Sequence, residues 1–440
     1  MKDIENSKKE SPMLGLTGMG GGVASLMWAG AGETLYRIFV WGNNSSPQSA
    51  RLGLNNATDR SSPVLLGGAG NETTYKGLYT GETYNREATG ALRVIDGENQ
   101  LWVWGSNTYG ALGLNGANNL NDSWALSSPA QLPGDWINYS RARNSSIGTK
   151  SDGTLWGWGK ILSFRNVPTA TSQVSSPMQI GSDTDWPTQD PFETGDCHLS
   201  SVSPGYNFAI KQNGSLWVWA AQNAGAGVLG LNDMANPQPT RLSRSSPRQI
   251  GTETTWKSIA ASAGPGSVFA IKTDGSAWAW GNGRFGQLGL NQGGPSARVS
   301  SPVRIGYNTN WKKFSGCPYG TNFGLKTDGT LWSWGGYVNY GSGGINKGGN
   351  APPAERYKSS PTQIPGTNWT DVQSGLYAGY GLKSDGSGWA WGRNHEGQLG
   401  LNDKTDRSSP TQIPGTWGGT GVAFGNISGG KSMQMGFLQA

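Results

Sequence analysis

Residues Gly425–Ser432 read GNISGGKS and fit the spacing G-x-x-x-x-G-K-[ST] at every required position. That spacing is used to cradle phosphates: glycines bring backbone N–H groups to the anion, and a lysine reaches its charge. The chemistry requires a buried strand before the loop and a helix opening after it. Only eight residues follow Ser432, and alignment with the internal repeats makes them a strand. The match is therefore read as a product of glycine-rich composition, and no nucleotide or other cofactor is expected. A second pair, Cys197-His198, has the types needed for a metal ligand set or an activated thiol. With two cysteines, two histidines and no C-x-x-C, a metal site is not expected. Glu98, Asp190, Glu193, Asp196 and Glu355 are scattered between the repeats and form no catalytic constellation in sequence. The expectation is a chain that is not an enzyme, with no catalytic residues.

Composition supports that expectation. Of 440 residues, 71 are Gly and 21 are Trp, and only 14% are charged. Aromatic content of 10% argues against disorder. The net charge of +6 is spread thinly, without the basic stripe that a nucleic-acid groove needs. No run reaches the length of about 18 apolar residues required to cross a membrane. The opening lacks the uninterrupted apolar core of a secretory leader, because glycines break residues 13–30.

Any site in this chain must be positioned by its repeats. Seven segments end in aromatic-x-Trp: FVWG, LWVWG, LWGWG, LWVWA, AWAWG, LWSWG and GWAWG. Their second aromatic residues are Trp41, Trp104, Trp158, Trp219, Trp280, Trp334 and Trp391. An Asp-Gly or Asn-Gly turn precedes several copies, as in AIKTDG at 270–275, which is a strong hairpin signal. Most copies continue into LGLN, then Ser-Ser-Pro and a further Trp at 136, 186, 256, 311, 369 or 417. Both aromatic rings of the motif lie on one face of a strand, and the small residue between them lies on the other. Each fully buried Trp hides about 150–250 Å², equivalent to about 4–6 kcal/mol as an upper bound. Thirteen such tryptophans make a core for a chain poor in Leu and Ile. The expected fold is all-β: a seven-bladed propeller at 26–440, closed by N- and C-terminal strands, with an anchoring arm at 1–25.

The run GRNHEGQLGLN at 392–402, preceded by W-x-W, resembles the repeat of the regulator of chromosome condensation family. GSNTYGALGLN departs from it at Ala111, and GNGRFGQLGLN departs at Gly283. The resemblance implies a seven-bladed propeller. Its members include a nucleotide exchange factor for a small nuclear GTPase, a plant UV-B receptor, ubiquitin-ligase modules and a bacterial β-lactamase inhibitor. Residues 13–30 also resemble the glycine-rich openings of marine bacteriophage structural proteins.

Function is expected where the copies differ. The sixth copy replaces LGLN with residues 336–361, which carry Tyr337, Tyr340 and Tyr357. The second inserts 115–129 with Trp124, and residues 185–208 join the third copy to the fourth. These aromatic residues are the candidate binding loops. The first functional expectation is a virion component anchored by its arm to other virion proteins, facing a host-surface glycan or protein. Nucleic-acid binding and membrane insertion are not expected. The alternative is a cytoplasmic regulatory propeller that binds a protein, such as a GTPase exchange factor. An enzyme acting on polysaccharide ranks behind both.

Overall fold

The computed structural model describes residues 37–439 with exclusions, chiefly 45–51, 67–74, 81–87, 116–124, 161–172, 221–226, 233–243, 347–357 and 415–436. The arm at 1–25 and the GNISGGKS segment lie outside the described residues. The architecture is an all-β propeller built from antiparallel strands. Its simplest sheet consists of Trp256–Ala261, Ser267–Lys272, Ala277–Asn282 and Arg298–Arg304, paired in that order. Three further sheets, at 199–249, 311–363 and 369–412, repeat this plan. First strands of neighbouring sheets bond to one another around the centre: Ala261 N donates to Ser200 Oγ, and Ser374 N donates to Ser315 Oγ.

The expectation of seven blades is corrected here. The described strands make five sheets of four or more strands, together with one three-stranded sheet. One of the five has seven strands and contains both the second and the third W-x-W strands. The cause is the strand Ala125–Arg141, which runs 17 residues without a break. It pairs first with Glu98–Ser106 and then with Ser145–Lys150. Elsewhere the link before the next first strand is longer, as in IGTETT before Trp256. Here only LPGD precedes Trp136, too little chain to leave the sheet.

The three-stranded sheet joins the chain ends. Arg37–Gly42 lies between Arg60–Leu65 and Phe437–Gln439. The closure also uses contacts found between consecutive copies. Trp280 Nε1 donates to Val228 O at 2.9 Å, and Trp334 Nε1 donates to Gln287 O at 2.9 Å. Trp41 Nε1 makes the same bond to Gln398 O at 3.1 Å, across 357 positions. Ser62 Oγ likewise bonds Asn402 Oδ1 at 2.5 Å, as Ser360 Oγ bonds Asn291 Oδ1.

The two tryptophans of each motif differ more than their spacing suggests. The second is sealed: Trp41, Trp104, Trp158, Trp219, Trp280, Trp334 and Trp391 are all 0–1% exposed. The first is only partly buried at 102, 156, 217, 278, 332 and 389. Its outer side supports a turn instead. In Asp274-Gly275-Ser276, Asp274 Oδ1 accepts from Ser276 N and Oγ, and Trp278 Nε1 donates to Ser276 Oγ. Lys272 Nζ lies 3.9 Å from the Trp278 ring centroid and 4.9 Å from that of Trp256. Lys150, Lys211, Lys326 and Lys383 occupy the same aromatic slot, and Arg93 a related one. Each lysine covers apolar surface with its stem and supplies cation–π attraction of about 0.5–2 kcal/mol.

Candidate functional site

The G-x-N-x-x-G-Q-L-G-L-N loops follow the W-x-W strands at one end of the sheets, and their geometry assigns a task to most motif residues. Asn394 is fully buried; its Oδ1 accepts from Leu399 N at 2.9 Å, and its amide donates to Asp403 O at 2.9 Å. Asn44 and Asn107 brace Leu52 and Leu112 in the same way. Gln398 Oε1 caps Glu396 N at 2.8 Å. Gly400 has φ +69°, and a Cβ there would meet the Trp41 indole at 2.8 Å. Asn402 takes a left-handed conformation at φ 60°. The sixth copy keeps this geometry without the LGLN letters. Gly344 touches Trp391, and Asn346 at φ 57° donates its N–H to Ser408 O. Gly344-Ile345-Asn346 is thus a disguised G-L-N.

Within this end of the molecule, Tyr340 stands out. It occupies the short turn Asn339–Gly341 at φ 60°, ψ 15°, and is 36% exposed. A left-handed conformation costs a tyrosine about 1–2 kcal/mol, a strain that tends to persist at functional positions. Gly341 packs so closely against the Ser408 backbone that a Cβ would not fit there. The turn carries the ring onto the neighbouring repeat. There Tyr340 meets His395 at 5.2 Å and Tyr377 at 5.7 Å, both edge-on. The Arg393 guanidinium lies 5.6 Å from the Tyr340 ring and 5.9 Å from the Tyr377 ring. Arg393 Nε donates to His395 Nδ1 at 3.1 Å, and His395 Nε2 faces Asp406 Oδ2 at 3.3 Å. This arrangement places the imidazole proton on Nε2. Among the described residues, no bond is made to the two terminal amino groups of Arg393. Tyr109, the matching residue of the second copy, is also left-handed at φ 60° and stacks with Lys160 at 4.9 Å.

Of the residues singled out from sequence, only Tyr340 falls in this cluster. Trp124, Tyr337 and Tyr357 lie outside the described residues. Tyr377, Arg393 and His395 carried no sequence signal of their own, because repeat-to-repeat packing, not chain proximity, brings them to Tyr340. The other pair named from sequence separates: the Cys197 thiol donates to Leu199 O, while His198 turns into a different cavity. Among the described residues no three His, Cys, Asp or Glu groups gather to hold a metal.

The half-buried Arg393 guanidinium therefore lies against two tyrosine rings, beside a histidine. Arg and Tyr dominate the energetics of protein interfaces, and aromatic flanking fixes the guanidinium at little further entropy cost.

Comparison with known proteins agrees with the repeat and the fold. Residues 274–323 and 385–426 match the Regulator of chromosome condensation (RCC1) repeat. The chain is 25% identical over 275 residues to the RCC1 domain-containing protein RUG3, mitochondrial, of Arabidopsis thaliana, covering 60% of this chain and 56% of RUG3. It is 27% identical to the Ultraviolet-B receptor UVR8 of the same plant over 47% of this chain and 43% of UVR8. In both relatives the match spans less than two thirds of the relative's own length. The structure of Prp20p from Saccharomyces cerevisiae superposes with a TM-score of 0.70 at 21% identity, covering 93% of each chain. Residues 274–323 and 385–426 are thus similar to the RCC1 repeat, and the propeller fold is similar to that of Prp20p.

Proposed function

We propose that this chain is a regulatory, non-enzymatic propeller that docks an acidic segment of a partner protein on the Tyr340–Tyr377–Arg393–His395 cluster. That cluster is the observation that carries the reading: a cation with unbonded donors, aromatic walls and a strained tyrosine, all on rigid supports. The similar Prp20p is described with binding properties to Gsp1p and histones, which supports protein binding as the use of such a scaffold. An exchange factor is one form of this function, and its partner would be a small GTPase. The virion reading is set aside in favour of this one. It rests on the arm at 1–25 and the opening at 13–30, which lie outside the described residues, and no described residue favours it.

The test is site-specific photocrosslinking in cells that express the protein. A photoreactive phenylalanine analogue replaces Tyr340 in one variant and Tyr307 in another. Tyr307 is 93% exposed and lies at the opposite end of the strands. Position 340 is expected to capture a defined partner with an acidic segment at the crosslink, and position 307 is not. Capture of the same proteins from both positions, or of none from 340, would refute the proposal.

A further inference from the structure

The opposite end of the strands holds a cleft of about 460 Å³ that the docking cluster does not use. It arises from a local break in the repeat. In three copies an indole residue itself opens the first strand, as at Trp256, Trp311 and Trp369. Trp186 fills the equivalent place, 6.1 Å from both the Trp217 and Trp219 rings, yet its first strand begins only at Leu199. Residues 187–198 are therefore surplus to the repeat. They are nonetheless firmly fixed. Asn138 Nδ2 donates to Pro187 O at 3.2 Å and to Gln189 O at 3.1 Å. Thr149 Oγ1 donates to Pro187 O at 2.7 Å, and Asp190 pairs with Lys76 at 2.8 Å.

This segment, the turn at 212–214 and the link at 254–257 form the walls of the cleft. His198 lines it while only 7% exposed, and neither of its ring nitrogens has a hydrogen-bond partner among the described residues. Burial, reinforced by the nearby Lys257 charge, pushes the His198 imidazole down to about 4, so it is neutral at physiological pH. A buried polar group without a partner is costly, and a bound water or ligand is one of the ways such a group is satisfied. Asp196 Oδ2 stands 3.6 Å from Lys257 Nζ, so these two charges offset each other, and Lys211, the third charged group of the lining, is paired with Asp183 and Asp185 at 2.7 Å. Burial raises the Asp196 carboxyl above its ordinary range. Gln189, Gln212 and Asn213 add side-chain amides.

We propose that this cleft binds a neutral, polyhydroxylated ligand, a saccharide unit, with His198, Asp196 and Lys257 as its anchoring groups. The chemistry selects against the charged alternatives. An anion drawn to Lys257 meets the Asp196 carboxylate, and a cation drawn to Asp196 meets the Lys257 ammonium. Neighbouring hydroxyls can donate to the carboxylate, accept from the ammonium, and exchange either role with a neutral imidazole. The volume lies within the range of about 300–1,000 Å³ typical of small-ligand sites. This site is independent of the proposed docking cluster, since the two occupy opposite ends of the strands.

The chain has two histidines, so imidazole NMR signals of the whole protein report on each end separately. The probes are neutral monosaccharides and disaccharides at millimolar concentration, with a uronic acid and an amino sugar as charged comparisons. At least one neutral sugar is expected to shift the His198 signals saturably and leave the His395 signals in place. His198→Ala is expected to weaken that sugar by roughly tenfold or more. Asp196→Asn, which keeps the shape of the wall, is expected to weaken it as well. The proposal is overturned if no neutral sugar moves His198, if the charged sugars bind as tightly, or if both variants bind like the parent.

Discussion

Trp41→Ala is expected to lower the unfolding free energy by about 3–5 kcal/mol, the usual cost of removing a buried indole. It should match Trp280→Ala to within about 1 kcal/mol. The comparison matters more than the size. Trp280 packs between repeats that follow one another in sequence, and its indole bonds a carbonyl 52 residues away. Trp41 makes that bond across 357 residues, from the first described strand to the last complete repeat loop. It also packs with Tyr380, Leu382, Leu399 and Ile413, all from the last repeat. If the ring is closed, the two indoles are equally enclosed and equally costly to remove. In a ring open at this seam, Trp41 would be solvent-exposed and its truncation nearly neutral. Urea-unfolding midpoints of the two variants distinguish these outcomes.

Asp190→Ala is expected to cost about 3–5 kcal/mol, because it removes one partner of a buried ion pair with Lys76. Both side chains of this pair are less than 10% exposed and the separation is 2.8 Å. Asp190 comes from the surplus segment 187–198, and Lys76 lies directly after Tyr75, at the start of the second repeat. The pair thus ties an insertion of one repeat to a distant one. Loss of the pair should also loosen the cleft walls, seen as faster amide exchange at 187–198. The double variant Asp190→Leu with Lys76→Met keeps an apolar filling and should recover most of the lost stability. Equal instability of the double and single variants would show that the ion pair is not the origin of the effect.

The repeat was legible in sequence because its signals are local. W-x-W, the Asp-Gly turns and Ser-Ser-Pro each act within one strand or hairpin. The sheet count was not legible, since it depends on a difference of two residues in a connection: LPGD before Trp136 against IGTETT before Trp256. The docking cluster was legible only through Tyr340. Arg393 and His395 sit in the best-matching copy of the motif, GRNHEGQLGLN, where their positions read as variable filler. Their proximity to Tyr340 and Tyr377 follows from the stacking of one repeat on the next, which no single segment encodes. The unusual length of 185–208 was visible in sequence, but not that it leaves His198 without a partner beside an offset pair of charges.

Whether Arg393 anchors a partner protein is measured directly by the affinity of that crosslinked partner for the intact chain and for Arg393→Ala. An anchoring side chain contributes about 2 kcal/mol or more, so the variant should bind roughly 30-fold more weakly. Arg393→Lys should recover only part of the loss, because an ammonium lacks the planar fork. Equal affinity of the parent and Arg393→Ala would show that Arg393 is not the anchor.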